Sequence, residues 1–354
     1  MQRRTTLTLL GLGLVATVLP AADPVQVGFV YVSPVGDAGW TFQHDVGRKE
    51  MEKALAGKVA TRFVESVPEG ADAERVIRQM AAGGARIVVT TSFGYMNQTE
   101  KVAVAFPGKA FFHATGYKTG KNMGVYNARF YEGRYLCGVL AGKMTKSHIA
   151  GYVAAFPIPE VLQGINAFTQ GMRSVDPKAE VRVIWVNSWF DPGKEREAAL
   201  TLLSQGADMV THHTDSTAVV QAVEEKHKGN PSLYAFGYHS DMAKYGPTSQ
   251  LTATTHHWGE FYTRTVKEVL DGTWKATNLW GGMKDGMIKL APLNAATPAP
   301  VKALVAKLEK DIVAGRLHPF AGPVVGQDGK ERVPKGRNMT DAELGAMDYY
   351  VAGV

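Results

Sequence analysis

The segment VQVGFVYV (residues 25–32), followed closely by GDAGWTFQHD (residues 36–45), decides how the chain folds. The first run is apolar and rich in β-branched valine, which predicts a buried strand, and Gly36-Asp37 marks the turn that ends it. From Thr41 onward, apolar side chains recur at nearly helical spacing, so a helix is predicted to follow the turn. An aromatic group and several hydrogen-bonding groups directly after a first strand are what a ligand site at that strand end would need.

The same alternation of strand and helix continues along most of the chain. Helical patterns separate most of the predicted strands, which lie at 25–32, 60–67, 85–92, 109–115, 148–156, 181–189, 207–214, 232–239 and 250–255. Strands joined through helices are parallel neighbours, so the pattern predicts an α/β fold. The pattern starts again near residue 148, which indicates two lobes of similar architecture. Residues 273–354 are predicted to be irregular apart from one helix near 298–314.

Two domains are also expected from length, since a single core rarely grows to 354 residues. We expect an N-terminal lobe made of residues 24–146 plus about 256–290, and a C-terminal lobe made of residues 147–255 plus part of 291–354. In open sheets of this class, ligands bind beyond the carboxyl ends of the strands, where the strand order reverses. A ligand cleft is therefore expected between the lobes.

Residues 1–22 have the three parts of a secretory signal peptide: the basic residues Arg3 and Arg4, an apolar run over 7–19 and small residues at the end. The paired arginines leave both the Sec and the twin-arginine export routes open. No cysteine lies near residue 22, so we expect a soluble periplasmic protein and not a lipid-anchored one.

Composition argues against several classes of function. The formal net charge is only +6, and no Lys/Arg cluster with interleaved aromatic residues is present, so nucleic-acid binding is not expected. Adjacent histidines such as His212 and His213 point to opposite faces of a strand, which disfavours a shared metal ion. No nucleophile-elbow motif follows a strand. We predict no metal, no cofactor and no enzymatic activity.

Nearly every predicted strand ends in an aromatic residue beside a hydrogen-bonding residue. The candidate ligand-binding residues are Asp37, Trp40, Thr41, Phe42, Phe93, Tyr95, Asn127, Trp189, Phe190, Asp215, Asp241 and Lys284. N-capping explains single aspartates, but it does not explain the concentration at nearly all strand ends. A flat, uncharged heteroaromatic ligand needs rings to stack on and polar groups to read its edge. An amino-acid ligand would need a fixed arginine, for which Arg129 is the strand-end candidate.

Several of these segments resemble the basic membrane protein family, the substrate-binding proteins of ABC importers related to purine nucleoside receptor A. The resemblance rests on the turn GDAGWTFQHD, the helix EGRYLCGVLAGKM, the strand-turn NSWFDPGKE and the tail GGMKDGMIKLAP, and it covers about residues 25–325. It implies a periplasmic-binding-protein type I fold, in which two Rossmann-like lobes joined by three crossings close over a purine. It also implies a permease in the inner membrane as the partner, and we expect the binding protein to be a monomer.

Within this family, the sequence is similar to the branch that binds a free purine base such as adenine. Compared with the nucleoside-binding pattern, the first turn has gained Trp40, and Phe130 stands where an aspartate is found. An added ring and a lost carboxylate favour a smaller ligand without ribose hydroxyls. The resemblance implies that Trp40 stacks on the base from one lobe and Phe190 (or Trp189) from the other. It also implies that Asp37, Asn127, Asp215 and Asp241 bind the ring N–H and amino groups of the base. Lys284 would donate a hydrogen bond to the base.

Two alternatives stay open at this point. The same fold can hold a nucleoside, a sugar or another small heterocycle. A periplasmic nucleoside hydrolase is the alternative from a different class, but it would need an Asp-rich metal cluster at a strand end, which the sequence lacks.

Overall fold

The computed structural model describes residues 23–354, so the predicted signal peptide, residues 1–22, lies outside the described residues. This part of the chain contains ten α-helices and fourteen strands. The helices are α1 (Trp40–Ala54), α2 (Ala71–Ala82), α3 (Met96–Ala105), α4 (Phe130–Met144), α5 (Pro159–Arg173), α6 (Pro192–Ser204), α7 (Ala218–His227), α8 (Gly259–Leu270), α9 (Ala299–Val313) and α10 (Asp341–Gly345). The strands are β1 (Val25–Val30), β2 (Val59–Val64), β3 (Ile87–Thr90), β4 (Ala110–Ala114), β5 (Met123–Ala128), β6 (Ile149–Ala154), β7 (Glu180–Trp185), β8 (Met209–His213), β9 (Tyr234–His239), β10 (Gln250–His256), β11 (Asn278–Gly281), β12 (Ile288–Leu290), β13 (Val324–Val325) and β14 (Glu331–Val333).

The first sheet has six parallel strands in the order β2-β1-β3-β4-β5-β11. Helices cover the sheet, so its strands are apolar on both faces, as in the fully buried β3 and β4. The chain order reverses between β1 and β3. This is the topological switch point, where open parallel sheets bind their ligands.

The second sheet repeats the arrangement, with strands in the order β7-β6-β8-β9-β10-β12. Its first five strands are parallel, and β12 is antiparallel to β10. The strand order reverses between β6 and β8, so the second sheet has its own switch point. The predicted α/β fold of two Rossmann-like lobes is therefore confirmed.

The chain passes between the two lobes three times: between β5 and α4, between β10 and α8, and between β11 and β12. Helix α4, which follows the first passage, packs closely on α5. Two glycines allow this approach, since a Cβ at Gly138 would lie 2.0 Å from the Phe168 carbonyl oxygen and one at Gly171 would lie 2.0 Å from that of Tyr135. Any larger residue at either position would push the helices apart.

The prediction that residues 273–354 are irregular apart from one helix was wrong. This segment contains β11 and β12, which complete one edge of each large sheet, the antiparallel hairpin of β13 and β14, and the short helix α10. The helix predicted near 298–314 is present as α9. Strand β5, which the sequence pattern also missed, lies inside the first sheet between β4 and β11.

Candidate functional site

The two switch points face each other across a cavity that we call the inner cavity. It holds about 310 Å³ of space free of protein atoms, including its opening to solvent. Its lining comes from the strand ends of both sheets: Val32, Trp40, Ser92, Phe93, Thr115, Ile158, Glu160, Trp189, His213, Asp215 and His239. The expectation that polar and aromatic residues after the strands gather at one place agrees with this lining.

Trp40 is the first residue of α1 and forms one wall of the inner cavity. Its indole N–H donates a hydrogen bond to the Thr91 carbonyl oxygen at 2.6 Å, which fixes the ring. The ring is 7% exposed and is held edge-on by His44, Phe130, His239, His256 and Trp258, with centroid distances of 4.4 to 6.0 Å. A rigid aromatic surface of this kind loses little conformational entropy when a ligand stacks on it.

Trp189 supplies a second aromatic wall from the other lobe. It follows β7, contacts the Phe156 ring with a centroid distance of 5.0 Å, and donates its indole N–H to Glu69 Oε1 at 3.1 Å. The next residue, Phe190, does not line the cavity and is 39% exposed. The loop between β7 and α6 is irregular, so strand alternation gave no guide to which of the two rings points inward.

Asp215 is buried at the floor of the inner cavity. Its carboxyl group accepts a hydrogen bond from the Ser33 hydroxyl at 2.8 Å, across the lobe boundary, and lies 3.4 Å from His239 Nε2. Burial is the main reason that the pKa of Asp215 is raised to about 8, with the nearby Glu195 raising it further and the Ser33 hydrogen bond opposing the shift. Burial also holds the pKa of His239 well below its ordinary value. Both groups are therefore uncharged near neutral pH.

Glu160 is a second buried carboxyl group in the same cavity. One of its oxygens lies 3.4 Å from His213 Nε2, while the other, Oε2, has no hydrogen-bond partner. Burial raises the pKa of Glu160 to about 8, and electrostatic coupling to the nearby Asp215 adds to the shift. A neutral carboxyl group both donates and accepts a hydrogen bond, so Glu160 can complement a ligand edge that carries one donor and one acceptor.

A larger space, which we call the outer cavity, adjoins the inner one. It holds about 1100 Å³, including open solvent, and shares Phe93, Thr115 and Glu160 with the inner cavity. Asn127, at the end of β5, lines only the outer cavity. Thr41 lines neither, but its hydroxyl lies 2.7 Å from the Ser33 hydroxyl that binds Asp215.

Seven of the sequence-predicted candidates, including Thr41, lie outside both cavities. Tyr95 is buried between α2 and α3, where its hydroxyl donates to the Val67 carbonyl oxygen, so it belongs to the core. The others are Asp37, Phe42, Phe190, Asp241 and Lys284. Asp241 caps a loop through Ala243 N and accepts a hydrogen bond from Gln250, and both contacts are local. Lys284 is exposed on the loop between β11 and β12.

Sequence reasoning did not select seven residues that line the inner cavity: Val32, Ser92, Thr115, Ile158, Glu160, His213 and His239. Three of these, Glu160, His213 and His239, carry ionisable groups. Each lies near the end of a predicted strand, which is where ligand-binding residues were expected. Glu160 stands in the first turn of α5, where acidic residues commonly interact with the helix dipole. From the sequence, His213 was considered only as a metal ligand beside His212, and His239 was not considered by itself.

Arg129 does not offer its guanidinium group to the inner cavity. It makes two hydrogen bonds to the Asp341 carboxylate, at 2.6 and 2.8 Å, and one to the Tyr131 hydroxyl at 2.8 Å. Among residues 23–354, no lysine or arginine lines the inner cavity, so an anionic ligand would find no counter-charge there.

The lobes touch at several points around the inner cavity. The Gly39 amide donates to the Ser240 hydroxyl at 2.7 Å, and Lys244 Nζ lies 2.8 Å from the Asp37 carboxylate. With the Ser33–Asp215 and Trp189–Glu69 bonds, these contacts describe lobes that are closed on each other. They place the two aromatic walls on opposite sides of one space.

Comparison with known proteins adds the family to this geometry. The model of the family described as ABC transporter substrate-binding protein PnrA-like matches residues 24–316. The chain belongs to this family. The resemblance inferred from sequence is thereby confirmed, and a solute-binding role follows from it. Substrate-binding proteins of ABC transporters act outside the cytoplasm and deliver a small molecule to a membrane permease.

Two relatives of the family bear on the ligand. A purine-binding protein of Brucella abortus (strain 2308) is 53% identical over 334 residues, which is 94% of each chain. A protein of Haloferax volcanii named as an ABC transporter glucose-binding protein is 39% identical over 300 residues, which is 85% of this chain and 75% of the relative. The two names point to different ligands within one family.

Solved structures agree on the fold. A solute-binding protein of an ABC transporter system from Aeropyrum pernix K1 superposes with a TM-score of 0.73 at 18% identity, covering 83% of this chain and 93% of that one. One from Conexibacter woesei has a TM-score of 0.65 at 21% identity, covering 83% and 98%. Across residues 23–354, no helix is both long and apolar enough to cross a membrane, and no three His, Cys, Asp or Glu side chains are grouped to hold a metal ion.

Proposed function

We propose that this protein captures a free purine base, with adenine favoured over its nucleoside, and delivers it to the permease of an ABC importer. The observation that carries the proposal is the pairing of two aromatic walls, Trp40 and Trp189, with two buried neutral carboxyl groups in one small cavity. The 53% identity to a purine-binding protein supports the same ligand class.

The chemistry of the lining favours a purine over a sugar. Adenine carries an acceptor nitrogen beside an amino donor on one edge, and a neutral carboxyl group matches that pattern with its own O–H and C=O. Glu160 Oε2 and both nitrogens of His239 have no hydrogen-bond partner, so they are free to serve such an edge. A buried group left without its partner costs about 1–3 kcal/mol, which discriminates against ligands that lack the matching edge.

The mechanism we propose is closure of the lobes over the ligand. The base first stacks on the rigid Trp40 of one lobe, and Trp189 and Asp215 of the other lobe then complete the site. Ligand contacts made only in the closed form shift the equilibrium toward that form, which the permease recognises. This mechanism includes no chemical reaction of the ligand.

Export and assembly complete the proposal. We propose that residues 1–22 direct the chain to the periplasm, where it works as a soluble monomer. The lobe limits expected from the sequence are kept, except that α4 and β12 belong to the second lobe. Mass spectrometry of the secreted protein tests the cleavage, and light scattering tests the monomer: a mass of two chains would contradict it.

The deciding experiment is calorimetric titration of ligand-stripped mature protein with adenine, adenosine and glucose in parallel. We expect adenine to bind at least tenfold more tightly than adenosine, a difference of about 1.4 kcal/mol. Equal or tighter binding of adenosine would contradict the free-base preference. Binding of glucose alone would contradict the purine assignment and favour the ligand named for the Haloferax relative.

A further inference from the structure

The C-terminal segment, which we define as residues 317–354, lies beyond the part of the chain that the family model matches. It is nevertheless folded onto the second lobe. Gln163 on α5 donates a hydrogen bond to the Leu344 carbonyl oxygen at 2.9 Å, and Asn166 binds the backbone of Tyr349 and Val351. The segment buries a row of apolar side chains: Phe320, Val324, Val333, Met339, Leu344, Met347 and Val351.

Helix α10 of this segment forms one wall of the outer cavity. The wall consists of Asp341, Ala342, Gly345 and Ala346, and across the cavity stand Asn127 and Trp280 of the first lobe. Three of the four wall residues are the smallest available. A Cβ atom added at Gly345 would meet no atom within 4 Å, so the space in front of it is open.

Glu160 connects the outer cavity to the ligand. Its side chain lines both cavities, is nine-tenths buried, and leaves Oε2 without a hydrogen-bond partner. A base held in the inner cavity would therefore meet the outer cavity at Glu160, and any substituent on that edge would extend toward α10.

The wall is held in position by Arg129. Its guanidinium group makes two hydrogen bonds to Asp341, the first residue of α10, and lies 5.1 Å from the Trp280 ring centroid. The Arg129 amide also donates to the Gly281 carbonyl oxygen at 2.7 Å. Arg129 thus fastens α10 to two chain passages between the lobes, and a Thr340–Glu343 capping box fixes the start of the helix.

We propose that α10 sets the size limit of the ligand. A purine bound in the inner cavity directs a substituent into the outer cavity, and the small residues of α10 determine how large that substituent can be. The inference rests on the purine-binding function proposed above. It assigns a specificity role to a segment outside the family model.

The test uses ligand-stripped mature protein and two series of adenines that carry methyl, ethyl or benzyl groups at N6 or at N9. We expect the wild type to bind an ethyl or benzyl member of at least one series within tenfold of adenine. Gly345→Trp should weaken the largest tolerated member tenfold or more relative to adenine. Ala342→Trp places the same ring one helical turn earlier and should act in the same direction. Circular dichroism confirms that both variants are folded.

The matched control is Gly108→Trp. Gly108 is also exposed and also has no atom within 4 Å of an added Cβ, but it lies away from both cavities. In this variant, the Kd for the largest tolerated substituted adenine divided by the Kd for adenine should stay within twofold of the wild-type ratio. A wild type that rejects ethyl groups in both series, or an unchanged ratio in both α10 variants, would overturn the inference alone. A wild type that binds no purine would overturn the proposed function itself.

Discussion

Trp189 and Phe190 are neighbours in the chain but occupy different environments. Trp189 lines the inner cavity, whereas Phe190 is 39% exposed outside it. Loss of a stacking ring costs about 1–3 kcal/mol per base, so we expect Trp189→Ala to raise the adenine Kd roughly 5- to 150-fold. Phe190→Ala is the matched control, and its adenine Kd should stay within twofold of the wild-type value. Titration of both variants decides the matter, and a larger effect at Phe190 would reverse the assignment.

At the same scale, residue type and position relative to a strand predicted Trp40, Phe93, Trp189 and Asp215 as a group, and all four line the inner cavity. The same rule placed Tyr95 and Asp241 in the candidate site, where they do not lie. Strand ends supply both ligand contacts and local caps, and only the tertiary path of each loop separates the two.

At the scale of elements, the turn between β1 and α1 controls how closely the lobes approach. Gly39 has φ 101°, and a Cβ atom at this position would lie 2.1 Å from the Asp215 carbonyl oxygen of the other lobe. We expect Gly39→Ala to weaken adenine binding tenfold or more, because the added methyl group prevents full closure.

Gly57→Ala is the control for this prediction. Gly57 also has a positive φ, 77°, but an added Cβ there would meet no atom within 4 Å. Its adenine Kd should stay within twofold, since only backbone strain is introduced. Titration of the two variants with adenine checks the prediction, and equal affinities would show that closure does not depend on the Gly39 contact.

The alternation of strands and helices was readable because each long element carries its own periodicity. Strands β11 and β12 were not, since they have four and three residues and gain their stability from pairing with β5 and β10. Strand β5 reads MGVYNA, in which Gly and Asn have low strand propensity, and its central place in the sheet overrides that preference.

At the scale of the whole molecule, an unusual number of ionisable groups is buried without charge. Burial lowers the pKa of the six buried histidines in the described chain: His44, His113, His212, His213, His239 and His256. It raises the pKa of Asp215 and Glu160 to about 8. The buried histidines lower the free energy of unfolding as the pH falls below about 6.5, which is the pKa of a histidine in the unfolded chain. The two carboxyl groups have the opposite pH dependence, since their contribution to the free energy of unfolding falls as the pH rises.

The carboxyl effect gives a test with a definite sign. Between pH 4 and pH 8 Asp215 keeps its proton in the folded protein but loses it on unfolding, so its contribution to the unfolding free energy falls as the pH rises. Relative to Asp215→Asn, the wild type should lose about 1 kcal/mol per pH unit between pH 5 and pH 7. Urea unfolding at pH 5, 6 and 7 measures the difference.

The control is Asp37→Asn. The hydrogen bond from Lys244 lowers the pKa of the exposed Asp37 below its ordinary value, so this group is ionised in both states across the measured range. Its substitution should leave the pH slope unchanged. A wild-type slope that equals the Asp215→Asn slope would mean that Asp215 is ionised in the folded protein.

The three chain passages between the sheets also govern the order in which the molecule can be made. The first sheet lacks its edge strand until residue 281 has been synthesised, and the second lacks β12 until residue 290. A nascent chain therefore cannot complete one lobe and then begin the other, in contrast to proteins whose domains fold one after another during synthesis. The two halves mature together near the end of translation, so the unfinished chain stays without a finished lobe for most of its synthesis.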